Sequence, residues 1–269
     1  TEKREIGDKM DCLAIFAAGK ASRFGGFPKA FCDLNGIRNV ENTIALAQKH
    51  FSKIFLIVNE ETYTSGIATG VDAEIIRIVT GQGDADSILK SLKRITVERG
   101  IDVLFACWGD AVFLTDDPFL ELKAGLSTWN IRSPVLVGCS WDEKPYAWFD
   151  VDGKSIVRSH FRKNEFEPCS TGLHDQSIFA FRTGTLLDYL MRRKHDLGLD
   201  AFDDNTYDVT RGEMGLLDTL TWFYEQPDLC VAEYCEITPN RVMSFNDPAE
   251  LEQVIKMLKN FRKRDKKEC

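Results

Sequence analysis

Two cations and a run of small residues stand close together near the start of this 269-residue chain. Arg23 and Lys29 follow the segment Ala17-Ala18-Gly19-Lys20-Ala21-Ser22, with Gly25-Gly26 and Pro28 between them. Small residues let a backbone approach a bound group closely, and successive loop N–H groups can point at phosphate oxygens. A planar guanidinium and a compact ammonium then add fixed positive charge. The combination suits a polyphosphate. It is not a Walker A loop, because Gly25-Gly26 is not followed by Lys-Ser or Lys-Thr. Asp110, in Trp108-Gly109-Asp110, ends a later apolar run. Mg²⁺ takes one or two carboxylates and leaves its other positions to phosphate and water, so a lone Asp beside such a loop can serve it. A plain turn aspartate would fit the same spacing.

These residues need elements to position them. The apolar run at 13–16 reads as a buried strand, as do Lys53 to Val58, Ala73 to Val79, Ile101 to Cys107, Pro134 to Cys139, Gln176 to Phe181 and Leu229 to Cys235. Apolar positions 40, 44, 46, 47 and 51 predict a helix over 39–51 with Asn39 as its cap. Further helices are predicted over 88–98, from Thr185, after Asp116-Asp117-Pro118, and after Asp247-Pro248, where Glu250 completes a capping box. Residues 60–72 read as loop or short helix, and Asp150 to Lys154 as a hairpin turn. The alternation predicts an α/β, Rossmann-like fold: a mostly parallel central sheet, helices on both faces, and ligands outside the carboxyl ends of the strands.

The pattern Ala-Ala-Gly-x-x-Ser-Arg followed by Pro-Lys resembles the signature of the nucleotidylyltransferases that load phosphorylated sugars and alcohols onto NTPs, with Ala21 where members commonly carry glycine. The resemblance implies the nucleotide-diphospho-sugar transferase fold and a nucleotide site at Ala17, Ala18, Gly19, Lys20, Ala21, Ser22, Arg23 and Lys29. Arg23 would hold the β- and γ-phosphates and Lys29 the α-phosphate. Residues 80–87, Thr-Gly-Gln-Gly-Asp-Ala-Asp-Ser, resemble the family's base-binding loop, most like that of the methylerythritol phosphate cytidylyltransferases. Gly81, Gln82, Asp86 and Ser87 are the implied contacts, although Asp84 or Asp86 would equally cap the next helix. By the same resemblance Asp110 and Asn246 hold Mg²⁺, with a turn role still open for Asn246. Glu143-Lys144-Pro145 spells a tripeptide that sugar-specific relatives use, but those relatives place it after a Tyr-Gly strand and an Asp-Gly turn. The analogous features here are Tyr146-Ala147 and Asp152-Gly153, which moves the implied acceptor-phosphate lysine to Lys163 and leaves Lys144 on the surface. Residues 176–181 and Arg211-Gly212-Glu213 with Leu216-Leu217-Asp218 resemble the family's acceptor segments.

Bulk properties set limits. Net charge is −8, and the basic residues cluster only between Lys256 and Lys267, which reads as a solvated helix end rather than a nucleic-acid footprint. No run is long and apolar enough to span a bilayer. Eight cysteines at 12, 32, 107, 139, 169, 230, 235 and 269 form no CxxC pair, so a reducing cytoplasm is expected. Residues 1–11 are polar and expected to be a disordered leader, 12–269 a single domain, 194–210 a mobile insertion, and a homo-oligomer is compatible with all of this. The four histidines show no triad spacing, and nucleotidylyl transfer needs none, since alignment and charge neutralisation carry it. The expected activity joins an NTP, CTP before UTP, to a phosphorylated or phosphonate small-molecule acceptor. A non-catalytic regulatory subunit on the same fold is the competing class. A glycosyltransferase would want Asp-x-Asp where this chain has Gly109-Asp110-Ala111-Val112.

Overall fold

A computed structural model describes residues 11–19, 24–165, 168–199, 212–226 and 231–268. The opening apolar run becomes β1 (Cys12–Ala17), with all six residues buried. After it come α1 (Asn39–Ala47), β2 (Lys53–Asn59), α2 (Glu60–Thr64), β3 (Glu74–Ile78), α3 (Asp84–Arg99) and β4 (Val103–Trp108). β1 pairs in parallel with β2 on one side and β4 on the other, and β2 pairs in parallel with β3. A strand buried on both faces needs no polar alternation, which is why 12–17 reads as continuous apolar sequence. Its side chains still alternate between faces: Ala14 and Phe16 join one core cluster, Leu13 and Ile15 the other.

The second half continues with β5 (Val112–Phe113), α4 (Asp117–Gly125), β6 (Val135–Glu143), β7 (Ala147–Asp152), β8 (Ser155–Phe161), β9 (Thr171–Arg182), α5 (Thr183–Asp196), α6 (Leu216–Glu225), β10 (Glu233–Glu236), β11 (Val242–Met243) and α7 (Pro248–Glu268). The large sheet runs β3-β2-β1-β4-β9-β6-β10-β8-β7. Its parallel character is concentrated in β3-β2-β1-β4. β9 runs antiparallel to both β4 and β6, and β7 and β8 form a hairpin that turns at Gly153, φ +58°. The sheet is therefore parallel where crossover helices connect it and mixed where hairpins do. No helix among the described residues is long and apolar enough to cross a membrane.

Several local expectations shift. Asn39 does not cap α1. Arg38 holds that position, its N–H donating to Glu41 at 3.1 Å, while Asn39 is buried and donates to the carbonyls of Gly109 and Ala111 at 2.9 and 3.0 Å. A buried amide can join two elements, and this one ties α1 to the end of β4. α3 begins at Asp84, four residues earlier than periodicity suggests, because its first turn is polar. Asp116 gives its carboxylate to His50 at 2.8 Å instead of capping α4. Asp11, assigned to the leader, is tied down: its carbonyl accepts from Ser52 N–H and its carboxylate pairs with Lys123. Most of the expected insertion at 194–210, and residues 1–10, lie outside the described residues.

Candidate active site

β1 has its crossover neighbours β2 and β4 on opposite sides, so the strand order reverses there. In open α/β sheets that switch point leaves a crevice outside the carboxyl ends. A cavity of about 880 Å³ occupies it. Ala17, Ala18 and Gly19 line it from the end of β1, and Trp108, Gly109 and Asp110 from the end of β4. Gly109 is required by close approach. A Cβ there would lie 2.9 Å from both the Phe16 carbonyl oxygen and the Ala30 Cβ, while the Gly109 N–H donates to that same carbonyl at 2.8 Å.

Lys29 opens a 3₁₀ turn, Lys29–Phe31, immediately after Pro28. Its Nζ donates to Asp110 Oδ2 at 2.9 Å and to the Phe245 carbonyl at 3.0 Å, and it sits 5.9 Å from the centroids of both Phe24 and Phe245. An ammonium held by a carboxylate, a carbonyl and two ring faces has one position, which is the preorganisation a phosphate-binding cation needs. Among the described residues nothing hydrogen-bonds to Asp110 Oδ1, and its side chain is 33% exposed. That oxygen fits Mg²⁺ in the manner of a metal held by one carboxylate with substrate phosphates, and no group of three or more His, Cys, Asp or Glu among the described residues offers an all-protein cage. Asn246 lies next to Phe245, is exposed, and gives its backbone N–H to Glu250, but it does not line the cavity. Asp247 caps α7 through the Glu250 N–H at 2.9 Å.

The loop after β3 is zipped to a distant segment. Met214 N–H donates to the Gln82 carbonyl at 2.7 Å, and Ala85 N–H to the Met214 carbonyl at 3.0 Å. Gly83, at φ +103°, permits this, since a Cβ there would lie 2.5 Å from the Met214 oxygen. Gly81 and Ser87 line the cavity. Ser87 Oγ donates to the Gly83 carbonyl at 3.0 Å.

Residues 13–160 match the family model of the MobA-like NTP transferase domain. The chain belongs to that family. MobA-like domains are nucleotidyltransferases, and the fold agrees. A solved structure described as a glucose-1-phosphate thymidylyltransferase from Bacillus anthracis, in complex with a sucrose, superposes with a TM-score of 0.64 at 14% identity, over 93% of this chain and 95% of that one. No curated protein matches the chain by sequence.

Within this MobA-like domain the implied site residues divide. Ala17, Ala18, Gly19, Lys29, Gly81, Ser87, Asp110 and Lys163 share the one cavity. Lys20, Ala21, Ser22 and Arg23 lie outside the described residues. Lys144 is exposed at φ +50° and away from the cavity, in keeping with a surface role. Gln82 and Asp86 correct the reading of the loop, because both turn inward. Gln82 Nε2 donates to the Gly212 carbonyl at 2.9 Å. Asp86 is 1% exposed. It accepts the Gln82 N–H at 2.8 Å and pairs with Lys90 and Lys194 at 3.0 and 3.2 Å. Burial alone would raise the Asp86 pKa, but the Gln82 N–H and the two lysines outweigh it and hold it below the ordinary value. A helix start signals cap and contact alike, and only the docking of 212–216 decides which way the side chains face.

Asp86→Ala should therefore destabilise the fold by about 3 kcal/mol, the low end for breaking a buried pair, since both lysines keep some access to water. Urea denaturation measures it, and a loss below about 0.5 kcal/mol would contradict the buried-anchor role. The contribution is present above the unfolded carboxylate pKa and fades as pH falls through the lower folded one, so the wild-type advantage should shrink in acid.

The sequence reading treated Asp84 only as a cap. It also gave no site role to Trp108, Tyr146, Phe161 or Asn164, all of which line the cavity. The aromatics come from the ends of different strands and a loop, so no periodicity marks them. Glu213 and Asp218, noted only within an acceptor-like segment, line it as well.

Proposed function

We propose that this nucleotidyltransferase moves a nucleoside monophosphate, CMP ahead of UMP, from an NTP to a phosphorylated or phosphonate small molecule. The observation that carries the reading is the contact of Lys29 with Asp110 at the switch point, on the same cavity as the Gly81–Ser87 loop and Lys163. An acceptor oxygen attacks the α-phosphorus. The bond from that phosphorus to the β-bridging oxygen breaks, and its electron pair leaves with pyrophosphate. Lys29 would neutralise charge on the α-phosphoryl oxygens, Arg23 would do so on the β- and γ-phosphates, and Lys163 would hold the acceptor phosphate. Mg²⁺ bound at Asp110, with Asn246 as an implied second ligand, would supply further neutralisation of the polyphosphate. The intact pair of Lys29 and Asp110 weighs against a purely regulatory role, since binding without chemistry needs no such arrangement. We further propose that 12–269 acts as one domain in a reducing cytoplasm. Cys32, Cys107, Cys139, Cys169 and Cys235 are free thiols, and burial pushes the Cys235 thiol up to about 12.

The preference for CTP rests on Ser87. Ser87 lines the cavity, and its hydroxyl proton is given to the Gly83 carbonyl, which leaves the oxygen's lone pairs to accept. Cytosine presents an exocyclic amino donor to such an acceptor, whereas uracil presents a carbonyl. An acceptor left unpaired typically costs about 1–3 kcal/mol, or roughly ten- to a hundredfold in kcat/KM. Pyrophosphate release measured across the four NTPs with a panel of sugar 1-phosphates, polyol phosphates and phosphonates tests the reaction. CTP should exceed UTP, and Ser87→Ala should narrow that ratio. A clear preference for ATP or GTP would overturn the pyrimidine assignment.

A further inference from the structure

We propose that Asn39 is a positioning residue for the reaction, setting Asp110 against Lys29 through the backbone on either side of the aspartate. This rests on the nucleotidyl transfer proposed above and adds to that site a residue that does not line its cavity.

Asn39 opens α1 and is wholly buried. Its side-chain Nδ2 donates to the Gly109 carbonyl at 2.9 Å and to the Ala111 carbonyl at 3.0 Å. One amide thus grips the chain one residue before and one residue after Asp110. Gly109 and Ala111 are buried, whereas Asp110 between them is half-buried and lines the cavity. The backbone of Asn39 holds the other member of the ion pair. Its N–H donates at 3.0 Å to the carbonyl of Cys32, which closes the turn Lys29–Phe31. Asn39 is therefore bonded to both segments whose side chains meet at 2.9 Å, Lys29 Nζ to Asp110 Oδ2.

Packing alone does not account for an amide at this position. Asn39 Oδ1 is buried and accepts no hydrogen bond from any described residue, which is costly. Val40, Ile44 and Ala47 already supply the apolar face that α1 buries. What the amide adds is its two donations, and an apolar side chain would take that donor away from both carbonyls. The same helix carries a comparison. Asn42, less than one turn on, is also buried, and its Nδ2 donates at 3.0 Å to the carbonyl of Phe113 in β5. Both amides dock α1 on the segment 109–113. The Asn39 bonds bracket Asp110, and this Asn42 bond does not.

The test sets Asn39→Ala beside Asn42→Ala. Urea midpoints establish that each folds, and pyrophosphate release is followed with the NTP and acceptor that the wild-type protein uses best. Binding of the Mn²⁺ complex of that NTP, with no acceptor and Mn²⁺ in place of Mg²⁺, is read by electron paramagnetic resonance. Asn39→Ala should lower kcat by about tenfold, leave the acceptor KM within about twofold and weaken the Mn²⁺ complex several-fold. Asn42→Ala should leave all three near wild type. In the Asp110→Asn background the Asn39 substitution should cost less than about twofold further, because the group it positions is already gone. Asn39→Ser, which keeps a donor without the reach to both carbonyls, should fall between alanine and wild type and serves where the alanine variant does not fold. Near-wild-type behaviour of the Asn39 variants, equal losses at Asn39 and Asn42, or the same tenfold loss with and without the Asp110 carboxylate would overturn the inference while nucleotidyl transfer stands. If the wild-type protein releases no pyrophosphate with any NTP and acceptor, the transfer reading itself falls and takes the inference with it.

Discussion

Lys29→Ala lowers kcat/KM for nucleotidyl transfer by about 10²–10³, the loss expected when a donor aimed at a developing oxyanion is removed. The expectation follows from how tightly the ammonium is held, between Asp110, the Phe245 carbonyl and two phenyl rings. Its side chain is 18% exposed and that of Asp110 33%, so the ion pair contributes little to stability, within about 1 kcal/mol. The variant should therefore fold, and an unchanged urea midpoint would separate lost chemistry from lost structure. Arginine at this position should not rescue it, because the broader planar fork cannot set one compact charge between Asp110 and the Phe245 carbonyl as the ammonium does. Near-wild-type turnover of the alanine variant would remove Lys29 from the reaction.

Asp110→Asn is expected to cut kcat/KM by about 10²-fold and to raise the Mg²⁺ concentration that half-saturates activity. The amide keeps the shape and an oxygen for the Lys29 ammonium, but it has no net charge to offset a cation. Gly109 and the buried amide of Asn39 hold the backbone on either side, so the substitution should leave the loop in place. Titrating Mg²⁺ against initial rate, for both proteins, separates a metal role from a purely structural one. Activity independent of metal, or the same half-saturation in both, would make Asp110 only a partner for Lys29. The double variant with Lys29→Ala adds a second check. If the two residues serve one transition state, their losses should be well short of additive.

The first site elements are legible in sequence because they are local. The apolar run at 13–16 reads as a buried strand, and a small-residue loop follows it in the sequence. Lys29 and Asp110 announce themselves by charge at turns. The family resemblance points past the tripeptide at 143–145 to Lys163; Lys163 lines the cavity and Lys144 does not.

Tertiary structure alone decided what those residues meet. Lys29 reaches Asp110 81 positions away and Phe245 216 positions away, contacts to which no periodicity refers. Gln82 and Asp86 turned out to be buried anchors because residues 212–216 dock onto their loop, a pairing across some 130 positions that the loop's own composition does not encode. Asn39 was readable as polar at a helix start, but its bond to the end of β4 required the sheet to be assembled. The acidic and aromatic lining of the cavity was legible only in part, at Glu213 and Asp218, for the same reason. Its members come from α3, β4, the loop before β7, β8 and residues 213–218. Hydrophobic period and turn chemistry specify elements, whereas the direction a polar side chain faces depends on which distant backbone packs against it.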